Sequence, residues 1–139
     1  MLQNAKSWEL LKVGDKASSE IKVTQEYINK FAEFSGDYNP IHIDPEYAEK
    51  TVFKKCIGHG LIALSEISKI VGTIMPGYGS VFLYESINYL NPIYVNDVVF
   101  TEVEIIEIKP QKRIIKIQVH SSNQENIEII SGELILKMM

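Results

Sequence analysis

The chain has 139 residues, with 14 Lys plus Arg against 18 Asp plus Glu and a formal charge of -4. That length suits one domain with a core needing neither disulfides nor metal, so residues 1–139 are expected to form a single unit. The only cysteine, Cys56, excludes an intrachain disulfide and every multi-cysteine zinc or iron-sulfur arrangement, and the only arginine, Arg113, leaves no basic stripe for nucleic acid.

No apolar run reaches the length that spans a bilayer, and the polar start MLQNAKSWELLKVGDK lacks a signal-peptide pattern. A cytoplasmic location in a reducing compartment is the expectation, with neither membrane nor nucleic acid as partner.

Along the chain, Gly14-Asp15 predicts a turn before a short strand over 17–23. Thr24 then reads as the cap of a helix with a stripe of Tyr27, Ile28, Phe31 and Phe34, stopped by Gly36 and Pro40. Residues 36–58 are the least periodic part, although Asp44-Pro45 can open a short helix through Tyr47 and Ala48. Beyond His59, the run Leu61, Ile62, Leu64, Ile67, Ile70, Val71 is apolar nearly all round, which predicts a buried helix over about 60–72.

After the Gly72, Pro76, Gly77 and Gly79 loop the pattern changes to β-branched stretches over 80–90, 98–109, 114–121 and 127–136. Alternation is clearest in Ile115, Ile117, Val119 and in Val99, Thr101, Val103, Ile105, so one sheet face is dry. Successive strands predict an antiparallel meander, and the one element apolar enough to cover it is the central helix. The fold class is therefore α+β, an antiparallel sheet wrapped around that helix. A layout with the helix on an outer edge would leave much of its circumference wet.

Chemistry-bearing residues concentrate in two places. Asp37 and His42 lie five residues apart in a segment with no helix or strand period, and such a pair can converge on a water and move protons near neutral pH. Their spacing equally allows Asp37 to end the helix with an Asx-type turn and His42 to pack in the core. Gly58, His59 and Gly60 stand at the start of the central helix, where unpaired N–H groups suit an oxyanion; an ordinary glycine helix entry gives the same pattern.

Other motifs are weaker. Asp37, His42 and His59 lack zinc-site spacing, Ser35-Gly36-Asp37 is not a nucleophile elbow, and Gly77-Tyr78-Gly79 lacks the rest of a phosphate loop. Cys56, with only Lys54 and Lys55 as basic neighbours, reads as a structural thiol.

The run from Phe34 to Ala48, FSGDYNPIHIDPEYA, resembles the signature of the MaoC-like, or (R)-specific, enoyl-CoA hydratases. Phe53, His59-Gly60 and the helix after them resemble a second block of that family, and Tyr89 to Val99 resembles its F-x-x-P-V-x-x-G-D turn. The likeness runs from Val13 to Leu136. Asn96 departs from the family's Gly, and the 55–59 run carries Cys56 and Gly58 where Arg-Pro-Ile-Ala is common.

The resemblance implies a hot-dog fold, a homodimer with substrate channels at the interface, and Asp37 and His42 as the catalytic pair. It implies reversible syn hydration of a trans-2-enoyl thioester to the (R)-3-hydroxyacyl thioester, with no metal or other cofactor. The substrate would ride on coenzyme A or acyl carrier protein. Candidate residues for holding it are Asn39, Tyr47, Phe53, Leu61, Ser65, Met75, Tyr78, Phe82 and Tyr84; the large side chains among them favour a short acyl group, and packing in the core or an interface gives the same pattern. The alternatives are a hot-dog thioesterase, for which Glu66 is the available acid on the central helix, and a non-catalytic acyl-thioester-binding subunit.

Overall fold

Caps and chain breakers set the helices. The computed structural model describes residues 6–139; the beginning of the polar start, residues 1–5, lies outside the described residues. Strand β1 (Lys16–Lys22) leads into α1 (Gln25–Ser35), which begins where the Tyr27 amide donates to Thr24 Oγ1 at 3.1 Å. Such a cap contributes about 1 kcal/mol. α1 stops at Gly36, whose φ of 76° is a left-handed conformation that costs glycine little.

The expected α1 stripe holds for Ile28, which is fully buried, but Phe34 is 90% exposed. Six residues at 3.6 per turn carry Phe34 roughly 120° away from Ile28.

A helical turn absent from the sequence reading, α2 (Pro40–Ile43), follows, opened by Asn39, whose Oδ1 accepts from the Ile41 amide at 3.3 Å. Four residues are too few to show a period. α3 (Pro45–Glu49) starts as expected, with Asp44 accepting from the Glu46 and Tyr47 amides. The long helix is α4 (Leu61–Thr73), one residue later at each end than expected.

Four strands complete the chain: β2 (Ser80–Tyr89), β3 (Val98–Lys109), β4 (Ile114–Ser122) and β5 (Glu128–Met138). All pairings are antiparallel, in the order β1-β3-β4-β5-β2. Only β3, β4 and β5 form a meander; β2 lies at the far edge. The link from β2 to β3 does not turn back as a hairpin because it is pinned across the end of the sheet. Gly58 donates to the Ile93 carbonyl, Asn96 to that of Val23, and Val23 to that of Asp97. Asn96 takes φ 72°, the left-handed role that its place in the turn demands.

The dry face is built from Val99, Val103 and Ile105 of β3, Ile115, Ile117 and Val119 of β4, and Leu134 and Leu136 of β5, packed with Ile62, Ile67, Ile70 and Val71 of α4. Burying each such side chain contributes about 1.5–3 kcal/mol. This is the hot-dog arrangement of sheet around helix, with one correction. α4 is not enclosed all round: Leu61 is 53% exposed, and Ser68 and Lys69 are exposed too. Leu61, Leu64, Ser65 and Ser68 recur at helical spacing and form a stripe beside β2, whose own side chains are mostly exposed.

Among the described residues no helix is long and apolar enough to cross a membrane.

Candidate active site

Asp37 follows the left-handed end of α1, and its Oδ1 accepts from the Asn39 amide at 3.1 Å. That is the Asx turn that the spacing allowed. It leaves Oδ2 free to face His42. His42 is held on α2 by its own N–H donating to the Asn39 carbonyl at 3.0 Å, by Gln25 Nε2 donating to its backbone carbonyl at 3.1 Å, and by Nδ1, which lies 2.8 Å from the Ile57 carbonyl. A carbonyl only accepts, so Nδ1 carries the proton and the neutral ring keeps its lone pair on Nε2. That lone pair lies 3.9 Å from Asp37 Oδ2.

Burial lowers the His42 pKa below the ordinary 6.5; the bond to the Ile57 carbonyl opposes this, His59 adds to it, and Asp37 opposes it. His42 is therefore neutral near physiological pH and available as a base.

His59 is buried beneath this pair. Its ring stacks on His42 with centroids 3.8 Å apart, and its Nε2 lies 3.0 Å from the Asp37 carbonyl oxygen. Its Nδ1 is buried and has no hydrogen-bond partner among the described residues. Asp37, His42 and His59 bring possible ligand atoms within 4.8 Å of one another. His59 Nε2 is committed to the Asp37 carbonyl, and the Nε2 atoms of His42 and His59 lie 3.9 and 4.0 Å from the same Asp37 Oδ2.

Of the three backbone donors expected at the entry to α4, Gly58 is corrected: its N–H is taken by the Ile93 carbonyl at 2.7 Å. Gly60 opens the helix with no side-chain cap, and its N–H and that of His59 have no backbone acceptor among the described residues. Tyr89 closes over this end. A Cβ on Gly60 would stand 2.7 Å from the Tyr89 ring, so glycine is required for the contact as built.

A cleft of about 620 Å³ runs between α4 and β2, lined by Leu61, Leu64, Ser65, Ser68, Phe82, Leu83, Tyr84 and Glu85. Four expected substrate-holding residues, Leu61, Ser65, Phe82 and Tyr84, meet there. Asn39, Tyr47, Phe53, Met75 and Tyr78 do not line it. Asn39 is committed to the α2 cap, Met75 is in the core, and the Phe53 carbonyl accepts from the Tyr94 hydroxyl at 3.5 Å. The catalytic candidates do not line the cleft either; Leu61, directly after His59-Gly60, links the two regions.

Ser65 Oγ donates to the Ile62 carbonyl at 2.7 Å, so its oxygen can still accept. Leu64, Ser68, Leu83 and Glu85 were missed by the sequence reading, although Ser68 and Leu64 share the helical spacing of Leu61 and Ser65. Tyr89 was quoted only as part of a turn motif; its place before Asn91-Pro92 was the signal available. Glu66, the thioesterase candidate, is buried on another side of α4, where it accepts from Ser19 Oγ of β1 at 2.7 Å.

Known proteins share both sequence and shape with this chain. An (R)-specific enoyl-CoA hydratase of Aeromonas caviae is 33% identical over 132 residues, covering 95% of this chain and 98% of that one. A mitochondrial 3-hydroxyacyl-[acyl-carrier-protein] dehydratase of Arabidopsis thaliana is 32% identical, covering 89% and 75%. The solved (R)-hydratase of A. caviae, described as involved in PHA biosynthesis, superposes with a TM-score of 0.90 at 32% identity, covering 94% of this chain and 99% of that chain. With the family model described as "MaoC like domain" matching residues 11–127, the chain belongs to the MaoC-like family.

Proposed function

We propose that the protein is an (R)-specific enoyl-CoA hydratase that adds water reversibly, in the syn sense, to a trans-2-enoyl thioester. The observation that carries this reading is the 3.9 Å gap between Asp37 Oδ2 and His42 Nε2, two acceptors facing each other. A water between them donates one hydrogen to each, which leaves its lone pairs free for C3 of the substrate. As the oxygen bonds to C3, His42 Nε2 takes a proton and electron density moves through C2 to the thioester oxygen. Return of a proton to C2 from the same face gives the (R)-3-hydroxyacyl thioester. The N–H of Gly60, with that of His59, faces the charge developing on the thioester oxygen, aided by the N-terminal end of α4.

Support for the assignment comes from the A. caviae relative, which matches almost end to end. The cleft beside Leu61, lined by Phe82 and Tyr84 among others, is in this reading the place for a short acyl chain. The carrier is coenzyme A in this reading; acyl carrier protein presents the same thioester. Residues 1–139 work as one catalytic domain in a cytoplasmic homodimer. Exposure of Val81, Phe82, Leu83 and Tyr84 on the edge strand β2 supports a second copy as its cover.

The test is hydration of crotonyl-CoA by purified protein, followed as loss of the enoyl thioester absorbance and coupled to a stereospecific dehydrogenase. Formation of the (R) product is expected. Release of free coenzyme A without hydration would establish the thioesterase alternative instead.

A further inference from the structure

We propose that the His59 side chain is a positioning residue, whose N–H anchors the Asp37 backbone to the start of α4 and so sets the gap in which the water is held, while its ring packs on His42 for stability. The inference rests on the hydratase reading and adds to it a side chain that the reaction itself does not touch.

The Asp37 turn has little else to hold it in place. Its other bonds are local: the Asp37 amide donates to Ser35 Oγ at 3.2 Å, and Asn39 donates to the Asp37 carboxylate at 3.1 Å. These shape the turn without tying it to the body of the protein, and the Asp37 side chain is 51% exposed. The long-range tie is the 3.0 Å bond to its carbonyl from His59, 22 residues away and 2% exposed. The carbonyl can only accept, so Nε2 carries the proton and Nδ1 is left with a buried, unpartnered lone pair.

Packing alone does not account for that choice of residue. A phenylalanine would fill the space between Phe31 and His42, whose ring centroids lie 4.8 and 3.8 Å from that of His59, with no orphaned nitrogen. What imidazole adds is the N–H on Asp37.

Two substitutions separate these roles. His59→Phe keeps a ring on His42 and removes the donor; His59→Gln keeps an N–H at about the reach of Nε2 and removes the ring. With crotonyl-CoA, His59→Phe should lose roughly 10- to 100-fold in kcat with KM within about threefold, because small displacements of reacting groups have costs of that order. His59→Gln should recover most of that loss while melting at a lower temperature than His59→Phe. The opposite order of activities, equal losses, or wild-type turnover in His59→Phe would overturn the proposal. A second measurement needs no variant and no turnover: long-range proton-nitrogen spectra of the wild-type protein should show His59 as the Nε2–H tautomer and His42 as the Nδ1–H tautomer. An Nδ1–H tautomer at His59 overturns the proposal. Failure of the hydratase reading shows separately, as wild-type protein that leaves crotonyl-CoA unhydrated.

Discussion

His42 Nε2 and Asp37 Oδ2 face each other at 3.9 Å, too far for a direct hydrogen bond and close enough for one shared partner. Because Nδ1 of His42 is committed to the Ile57 carbonyl, both facing atoms are acceptors. Only a donor of two hydrogens satisfies them together, and water is the smallest.

Removing the Asp37 charge or the His42 acceptor should therefore slow the reaction without unfolding the protein. Asp37→Asn and His42→Ala are each expected to lower kcat by roughly 10²-fold or more. The double variant should lose far less than the product of the single losses, since both groups act on one water. Steady-state kinetics on the three variants, with circular dichroism as the folding control, checks this.

The lowered pKa of His42 gives two pH effects of the same sign. In the native protein the ring stays neutral below 6.5, so kcat/KM should fall only at a pH under that value, as Nε2 takes its proton. In the unfolded chain the same ring protonates near 6.5, so between that pH and the lower native pKa the unfolded state binds more protons. Stability should accordingly decline as pH falls through this window and be retained above it. Urea unfolding from pH 7.5 to 5 measures the trend, and His42→Phe should flatten it.

Gly60→Ala separates folding from chemistry at the entry to α4. Gly60 has φ -57° and ψ -32°, which alanine adopts readily, and the Tyr89 ring that its methyl would strike is half exposed and free to swing away. Thermal stability should change by less than about 1 kcal/mol. Activity should fall by roughly 10-fold or more, because the methyl and the displaced ring crowd the N–H groups offered to the thioester oxygen.

Glu66 distinguishes the two enzyme readings. It is buried against Ser19 and Lys69 rather than on the cleft wall, so Glu66→Gln should cost about 1 kcal/mol of stability and leave hydration within about twofold. Loss of a coenzyme A-releasing activity in this variant would show that the acid serves a thioesterase.

The exposed edge strand makes the homodimer testable. Lysine at both Val81 and Leu83 should convert a sedimenting dimer into monomer with the secondary structure intact, because charge on an edge opposes strand-to-strand pairing. A variant that still sediments as a dimer would move the interface elsewhere.

Local chemistry in the sequence was enough to determine the caps at Thr24 and Asp44, the stop at Gly36, and the dry faces of β3 and β4, since each depends on neighbours a few residues away. The Asp37 and His42 pair was legible for the same reason, as a carboxylate and an imidazole in a segment with no structural period. What the sequence could not decide depends on residues far apart in the chain. The β2 strand looked like the first strand of a meander, yet it pairs with β5, because the segment after Tyr89 is pinned to Val23 and Gly58. The same long-range bonds removed the Gly58 N–H from the set of oxyanion donors. The composition of α4 suggested burial on every side, but a helix's exposure is set by what packs against it, and here one stripe faces the open side of β2. His59 shows the difference most sharply. Its position before a helix was visible from the start, whereas its bond to the Asp37 carbonyl and its stack on His42 exist only because the fold brings three distant segments to one point.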